Sequence, residues 1–375
     1  MTGRQKIQAA FSKEGAKEFP AVLCYEDIYI RDHWKDLTSC PWWYSMETDI
    51  DRQIRWRGDI INAIGQDWFA LPRGRTVEER ESVSIQERPD GVFRVDMRTG
   101  NEYRLYEPKI GGECHQDWNK PNPPATPEEI DNIYRGDMQS APLDFIKDGR
   151  KDLPERLING VCAGLCPIAH VTSPLQDCIG IWGFEGFMLM LNDNPGLIKY
   201  TCELITSLMA KGIQGLKNIG VEIIWIEECY LDMISLGMFR EFNMPYMTRV
   251  VEMIRAAGLK SVYYHTGDPH GKLDQILKVG ADAVSFEESK KYFKIDIEDI
   301  ADEVSGRCAV LGNLDATAFL PVCTEDELKT EIARQIAAGR KNKNKFIMSM
   351  GSPVTPGTSV EKVRLYCDLV HEMGK

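Results

Sequence analysis

The strongest constraint on this chain is a regular alternation of short apolar runs with longer amphipathic segments, which begins at about residue 158. Apolar runs of this kind are typical of strands that are buried on both faces of a parallel sheet. The amphipathic segments between them are typical of helices that cover such a sheet. The strand-like runs are GVCAGL (160–165), VEIIWIEE (221–228), KSVYYHT (260–266), DAVSFEE (282–288), CAVLGN (308–313) and KFIMSMG (345–351).

Another apolar run, PAVLCYE at residues 20–26, is predicted to form a strand near the start of the chain. With it, about eight strands can be assembled, which is the number that closes a parallel barrel. The sequence therefore predicts a (β/α)8 TIM-type barrel. An open doubly wound sheet is the alternative, but no glycine-rich dinucleotide fingerprint follows any of these strands, and we favour the barrel.

Residues 82–110 have a different pattern, in which polar and apolar residues alternate between turn sequences. This pattern predicts a small antiparallel β-meander inserted before the main barrel. The sequence TPEEI at residues 126–130 indicates the start of a helix, since acidic residues occupy its first turn. We therefore divide the chain into residues 1–126, an N-terminal extension with an aromatic-rich segment and the meander, and residues 127–375, the barrel body. Together they are expected to form one structural domain.

The charge and composition exclude several functional classes. The formal net charge of −12 disfavours nucleic acid as a partner, because it repels phosphate backbones. No apolar run is long enough to cross a bilayer and no signal-peptide core follows Met1, so we expect a cytoplasmic protein that does not associate with membranes. The 11 cysteines are scattered and are expected to be reduced thiols. The oligomeric state stays open.

Polar residues at the carboxyl ends of the predicted strands are the first candidates for a site, because parallel barrels carry their chemistry there. Three successive strands end in Glu228, His265 and Glu287. A histidine and two carboxylates could bind zinc or act in general acid–base catalysis, so these residues are candidates for both roles. The alternative is structural: a histidine at a strand end can serve only as a hydrogen-bonding residue, and one glutamate of each pair can cap the next helix.

Further candidates lie close to the same strand ends or in the aromatic-rich segment. Tyr230 and Asn313 are candidate catalytic residues, and Asp232 and Ser352 are candidate substrate contacts. Trp42 and Trp43 could line a pocket for a flat apolar substrate, although aromatic residues at such density also suit an N-terminal core or a subunit contact.

Several longer segments resemble the uroporphyrinogen decarboxylase superfamily. They are EECYLDMISLGMFREFNMPYMTRVVEMIRAAG, KLDQILKVGADAVSFEE, LGNLDATAFL and GFEGFMLMLNDNPGLI. The resemblance covers nearly the whole chain, is densest from Cys162 to Ser352, and implies a (β/α) barrel.

Within that superfamily the decarboxylases carry an arginine-rich motif after the first strand, where this chain has LCYEDIYIRDHW. Their late G-H-G segment is replaced by GSP at residues 351–353. The thiol methyltransferases of the second, corrinoid-dependent branch bind zinc through a His-x-Cys pair and a later cysteine. This chain keeps His265 but has Gly267 and Ser352 at the positions of those cysteines.

The chain then resembles the substrate-demethylating members of the corrinoid-dependent branch, which include the aryl methyl ether O-demethylases. That resemblance implies methyl transfer from a methoxylated aromatic substrate to cob(I)alamin on a partner corrinoid protein. It also implies a zinc ion held by Glu228, His265 and Glu287, or protonation of the leaving oxygen by these residues. The alternatives are a metal-free decarboxylase or lyase, a methylcobamide:thiol methyltransferase, and a non-catalytic scaffold for a corrinoid protein.

Overall fold

The computed structural model describes residues 1–111, 120–140 and 145–375 of the chain. Its main sheet contains seven parallel strands in the order β1-β5-β6-β7-β8-β9-β10, and a separate sheet contains three antiparallel strands in the order β2-β3-β4. The strands are β1 Trp68–Ala70, β2 Val83–Arg88, β3 Gly91–Asp96, β4 Glu102–Leu105, β5 Cys166–Thr172, β6 Ile223–Glu228, β7 Lys260–His265, β8 Ala283–Phe286, β9 Ala309–Leu311 and β10 Phe346–Ile347.

Helices connect successive strands of the main sheet, as expected where parallel strands follow one another. The α-helices are α1 Gly3–Ala10, α2 Glu26–Asp32, α3 Trp34–Leu37, α4 Ile50–Ile64, α5 Val77–Ser82, α6 Pro127–Gln139, α7 Asp152–Asn159, α8 Pro174–Trp182, α9 Phe184–Asp193, α10 Pro195–Ile219, α11 Leu236–Met238, α12 Met244–Ala256, α13 Leu273–Lys278, α14 Ile297–Val304, α15 Glu325–Lys341 and α16 Val360–Met373. Two 3₁₀ turns, Trp42–Met46 and Leu231–Met233, and a π-helical turn, Phe239–Asn243, complete the elements.

The two edges of the main sheet meet at the segment that contains Ala21. Ala21 forms a parallel bridge with Met348, just after β10. On its other side, the backbone N–H of Asp67, just before β1, donates to the Ala21 carbonyl at 2.8 Å. The predicted TIM-type barrel is therefore confirmed, with one difference: the expected strand at residues 20–26 pairs as a single bridge, and Glu26 already begins α2.

Two other predictions about strands need correction. The run GVCAGL was expected to be a strand, but residues 160–165 form turns and the strand β5 begins at Cys166. Gly164 has a φ of 91°, a backbone conformation that suits glycine and interrupts an extended run. Conversely, β1 lies in the aromatic-rich segment, where no strand was predicted.

The antiparallel meander is confirmed, with strands β2 to β4 inside residues 82–110. Its buried residues Ile85 and Val92 form a small cluster with Trp43, separate from the main core. The helix predicted at TPEEI is α6, whose Thr126 side chain accepts from the Glu129 backbone N–H in a capping box. The division between residues 1–126 and 127–375 stays a prediction.

Candidate functional site

A group of aromatic rings fills the barrel below its carboxyl end. The ring centroid of Trp225 lies 4.9 Å from that of Tyr264 and 5.8 Å from those of Tyr25, Trp68 and His170. Tyr25 also stacks on His170 with centroids 5.1 Å apart. Because these side chains come from β1, β5, β6, β7 and the segment before α2, they can meet only inside the barrel. We call these five residues the aromatic floor.

The opposite face of the same strands packs against the helices. Phe346 of β10 lies so close to α15 that a Cβ atom at Gly339 would be 2.7 Å from its ring. On β7, the Tyr263 hydroxyl donates to the side-chain oxygen of Asn243 at 3.1 Å, beside α12. Successive residues of a strand point to opposite faces. Tyr263 therefore faces the helices and its neighbour Tyr264 faces the barrel interior.

The same alternation places Glu228 and His265 on the helix-facing side. The two residues are directly opposite each other on β6 and β7, and His265 is two positions beyond Tyr263. Both are fully buried. Glu228 accepts a hydrogen bond from the Asn243 amide, but its Oε1 and both ring nitrogens of His265 have no partner among the described residues.

Burial decides the protonation of this pair. It raises the pKa of Glu228 to about 8, because the charged carboxylate is disfavoured away from water. It lowers the pKa of His265 to about 3, with a smaller contribution from the positive charge of Lys272. At neutral pH both side chains are therefore mainly uncharged.

Glu287 lies on the other face of the sheet. On β8, Phe286 is opposite His265 and Ser285 is opposite Tyr264. Glu287 lies two positions beyond Ser285, so its side chain points toward the barrel interior, as Tyr264 does. Its Oε2 accepts from the backbone N–H of Gly267 at 2.7 Å. Its Oε1 lies 3.7 Å from the Lys290 ammonium, which also pairs with Glu288. Partial burial raises the pKa of Glu287, although the Gly267 hydrogen bond opposes that shift.

The structure thus does not bring Glu228, His265 and Glu287 together, and the predicted zinc trio is not assembled. No group of three His, Cys, Asp or Glu side chains in residues 1–111, 120–140 and 145–375 could hold a metal ion. The thiolate positions are also unsuited: a Cβ at Gly267 would lie 2.4 Å from the Asp232 carboxyl carbon. The described residues do not fit a zinc site with three protein ligands, and we derive no step through zinc.

The other strand-end candidates have identifiable places. Asn313 donates to the backbone carbonyls of Glu287, at 3.1 Å, and Ile295, at 3.3 Å, so it fixes the backbone that carries Glu287. Ser352 accepts from the Lys290 ammonium at 3.0 Å. Tyr230 has a φ of 64° and packs on Phe184.

Asp232, Trp42 and Trp43 were predicted to contact substrate. Asp232 is exposed and packs over Gly267 at the edge of the mouth. Trp43 is buried in the meander cluster, and Trp42 packs against that cluster. Trp42 also lines a cavity of about 440 Å³, together with residues of α2, α3 and α4. Whether any of these residues binds substrate stays a prediction.

A second cavity, of about 350 Å³, lies between α4 and the strands β1 and β5 and is lined along the length of both strands. His170 of the floor lines it, together with five polar residues that the strand-end argument did not select. We call it the α4 cavity, because α4 forms one wall. Its polar residues besides His170 are Glu26, Asp27, Arg57, Gln66 and Arg73.

Enclosure in the α4 cavity shifts the pKa values of four titratable side chains that line it. Burial raises the pKa of Glu26 to about 8 and also raises that of Asp27, whose carboxyl faces the cavity. It lowers the pKa of Arg57 to about 10 and that of His170 to about 4. Perturbed groups that converge on an apolar cavity are a common feature of binding and active sites.

The sequence carried a signal for only part of this set. Glu26 ends the predicted first strand and Asp27 directly follows it, so the strand-end rule applied to that strand would have found them. His170 was missed because β5 was placed several residues too early. Nothing in the sequence indicates that Arg57, in the middle of a charged helix, would face a cavity.

The uroporphyrinogen decarboxylase (URO-D) family model matches residues 119–373. The chain belongs to the uroporphyrinogen decarboxylase family. This is an enzyme family, which supports an enzymatic function for the chain. In the described residues, no helix is long and apolar enough to cross a membrane.

Individual relatives of this uroporphyrinogen decarboxylase family member are distant. A uroporphyrinogen decarboxylase from Anaeromyxobacter dehalogenans (strain 2CP-C) is 26% identical over 272 residues, which are 71% of each chain. One from Anaeromyxobacter sp. (strain Fw109-5) is 28% identical over 192 residues, which are 51% of this chain and 53% of that protein. The chain therefore spans only about half the length of some curated relatives that it matches.

Among solved structures, a methyltransferase from Methanosarcina mazei matches with a TM-score of 0.67. The match covers 99% of both chains at 15% sequence identity. A similarity at this level shows that the two proteins share the barrel fold.

Proposed function

We propose that this protein transfers a methyl group from a methoxylated aromatic small molecule to cob(I)alamin carried by a partner corrinoid protein. The observation that carries this proposal is Glu287, a carboxyl with a raised pKa beside the aromatic floor. Breaking an aryl methyl ether releases a phenolate, and a carboxylic acid placed at that oxygen supplies the proton that the leaving group needs.

The surroundings of Glu287 suit an aromatic ring. Tyr264 of the aromatic floor is opposite Ser285, two positions before Glu287, and the Tyr25 ring lies 5.7 Å from the Tyr264 ring. The α4 cavity is lined by His170 of the same floor. Aromatic side chains and apolar walls favour flat apolar ligands. A volume of about 350 Å³ is near the lower end of the range for small-molecule sites, so it suits one ring rather than a tetrapyrrole.

In the proposed reaction the methyl–oxygen bond breaks and the methyl group goes to cob(I)alamin, which supplies the electron pair of the new bond. The oxygen keeps the electrons of the broken bond and takes a proton from Glu287. The Gly267 N–H holds the Glu287 carboxyl in place, and Asn313 fixes its backbone. The products are a phenol and a methylated corrinoid, and Glu287 regains its proton from solvent.

Two further points support methyl transfer. A methyltransferase shares the whole barrel fold. The segment after Ala21 lacks the arginines that a polycarboxylate substrate would need there, because it carries Glu26, Asp27 and one arginine, Arg31.

A second candidate is a decarboxylase or lyase that acts on a small carboxylic acid. Arg57 favours it, because this arginine lines the α4 cavity with no carboxylate within 4 Å among the described residues. Family membership favours it as well. Such an enzyme would release carbon dioxide without a corrinoid.

Both candidates can be tested in one experiment. The protein is incubated with a panel of methoxylated aromatics and with cob(I)alamin, either free or on a corrinoid protein encoded beside it, and methylcobalamin is followed by absorbance. We expect methylcobalamin and the matching phenol in equal amounts. Carbon dioxide release that does not depend on cobalamin, without methylcobalamin formation, would establish the second candidate instead.

A further inference from the structure

Lys290 places its ammonium group next to Glu287 at the mouth of the barrel. No other lysine, arginine or histidine of the described residues lies within 4 Å of the Glu287 carboxyl. The Lys290 ammonium donates to the Glu288 carboxyl and, at 3.0 Å, to the Ser352 hydroxyl. An ammonium group carries three N–H donors. One donor therefore has no hydrogen-bond partner in the part of the chain that the structure describes.

The gap between Lys290 and Glu287 has room for one ligand atom. The Lys290 Nζ lies 3.7 Å from Glu287 Oε1, and this oxygen accepts no hydrogen bond from the described residues, since Gly267 binds Oε2. A ligand oxygen can lie about 2.8 Å from both atoms at once, because the two atoms are so close together. The Lys290 side chain is 33% exposed and that of Glu287 is 19% exposed, so a ligand can reach both.

The loop that carries Lys290 is fixed by backbone hydrogen bonds. The backbones of Lys290 and Phe293 exchange two of them, of 3.0 and 3.3 Å. At the base of the loop, Asn313 binds the carbonyls of Glu287 and Ile295. Lys290 and Glu287 are therefore held relative to each other before a ligand binds. Charges that are preorganised in this way are the ones that stabilise a transition state effectively.

The acidic surroundings of Glu287 make this ammonium important for an anion. Burial is the largest cause of the raised pKa of Glu287, and its neighbours Glu288 and Asp232 add to it. The Gly267 N–H and Lys290 oppose that rise. Two acidic neighbours would repel a negatively charged oxygen from the mouth. Lys290 offsets Glu288, with which it pairs, and its third N–H is left for the ligand oxygen.

We propose that Lys290 is a second catalytic residue, which binds the leaving oxygen together with Glu287 and stabilises the negative charge that develops on it. As the methyl–oxygen bond breaks, its electron pair stays on the oxygen. The Lys290 ammonium donates a hydrogen bond to that oxygen and keeps its own proton, and Glu287 transfers the proton that completes the phenol. This role rests on the proposed function, while binding of a phenolate oxygen depends only on Lys290 and Glu287.

Binding of a phenol without any corrinoid tests the site. The probe is 4-nitrophenol, because its phenolate absorbs visible light and its neutral form does not. The ionised fraction is measured by absorbance across a pH series, with and without an excess of protein. We expect the ionisation constant of the bound compound to be about 10- to 100-fold larger than that of the free compound, which is the effect of one hydrogen bond from a charged donor.

Variants of Lys290 assign that shift. Lys290→Arg, which keeps the charge, should retain most of it, and Lys290→Met should remove it. Lys290→Met leaves the buried Glu288 without its cation. If this variant does not fold, the double variant Lys290→Met, Glu288→Gln, which removes both charges of the pair, replaces it.

The matched control is Lys291→Met, because Lys291 is the next residue of the same loop but is exposed and lies over the Tyr292 ring instead. It should keep the full shift. Three results would overturn the inference: no binding of 4-nitrophenol, an unshifted ionisation constant in the unaltered protein, or a full shift in a folded variant that lacks the Lys290 charge.

The outcomes separate this inference from the proposed function. A Lys290-dependent shift without methylcobalamin formation from any methoxylated aromatic would support the oxyanion site and contradict methyl transfer. Methyl transfer at an unchanged rate in folded Lys290→Met would support the proposed function and overturn the catalytic role of Lys290. If both are right, Lys290→Met should slow methyl transfer by about 100-fold, and most strongly for substrates whose phenol is least acidic.

Discussion

The two faces of the main sheet differ sharply at its carboxyl end. On the helix-facing side, Glu228 and His265 are fully buried and mainly uncharged. On the interior side, Glu287 is partly exposed and lies two positions beyond Ser285, which is opposite Tyr264 of the aromatic floor. Chemical reactivity needs access for a ligand as well as a suitable side chain, so the second face is where we place the reaction.

The comparison teaches that position along a strand and direction across it are separate questions. All three residues end consecutive strands, which the sequence shows. One step along a strand moves a side chain to the opposite face, so neighbouring strands can deliver similar residues to different environments.

The largest effect is expected for Glu287→Gln. This change removes the proposed proton donor while it keeps the shape, so methyl transfer should fall by about 10²- to 10⁴-fold. The rate of the unaltered protein should also decline as the pH rises through the pKa of Glu287, because only the protonated carboxyl donates. The variant should lack this decline.

Rates of methylcobalamin formation across a pH series check both expectations. Glu252→Gln, at an exposed position of α12, is the control and should keep the full rate. An unchanged rate in folded Glu287→Gln would remove the chemical distinction between the two faces.

A smaller effect, on stability rather than rate, is expected for Glu228→Gln. The folded pKa of about 8 lies above the ordinary value of 4.5, so the folded state holds the extra proton between these pH values. The contribution of Glu228 to the free energy of unfolding is therefore fully present below about pH 4.5 and is lost as the pH rises to about 8. Glutamine cannot lose a proton, so the variant should become more stable relative to the unaltered protein by up to about 1.4 kcal/mol per pH unit in this range.

Urea unfolding of both proteins at several pH values between 5 and 8 measures that difference. Methyl transfer should stay within about twofold of the original rate, since general acid catalysis is assigned to the other face. A large loss of transfer at preserved stability would return Glu228 to a catalytic role.

The smallest effect is expected for His265→Leu. Neither ring nitrogen has a hydrogen-bond partner in the described residues, so an apolar side chain of similar size removes no bond and relieves the burial of two polar atoms. The free energy of unfolding should stay within about 1 kcal/mol. His265→Ala should cost more, because it leaves a cavity. Loss of methyl transfer in a stable His265→Leu protein would support the catalytic role predicted from the sequence.

Much of the fold could be predicted because its local signals are strong. The capping box at Thr126 and the alternating pattern of the meander act over a few residues, and the structure confirms both. The strand predicted at residues 160–165 was wrong because a turn rich in small apolar residues has the same composition as a short buried strand. The three residues of β1 were missed for the opposite reason, since so short a strand has no measurable period.

By itself, the sequence determined that this chain forms a parallel barrel and that polar residues follow its strands. Only the tertiary structure decided which of these residues face the interior and which lie under the helices. It also brought Arg57, from the middle of α4, to a cavity beside Asp27 and His170. The physical reason is that strands and helix caps depend on neighbours along the chain, whereas a site depends on register and on packing between elements that are distant in sequence.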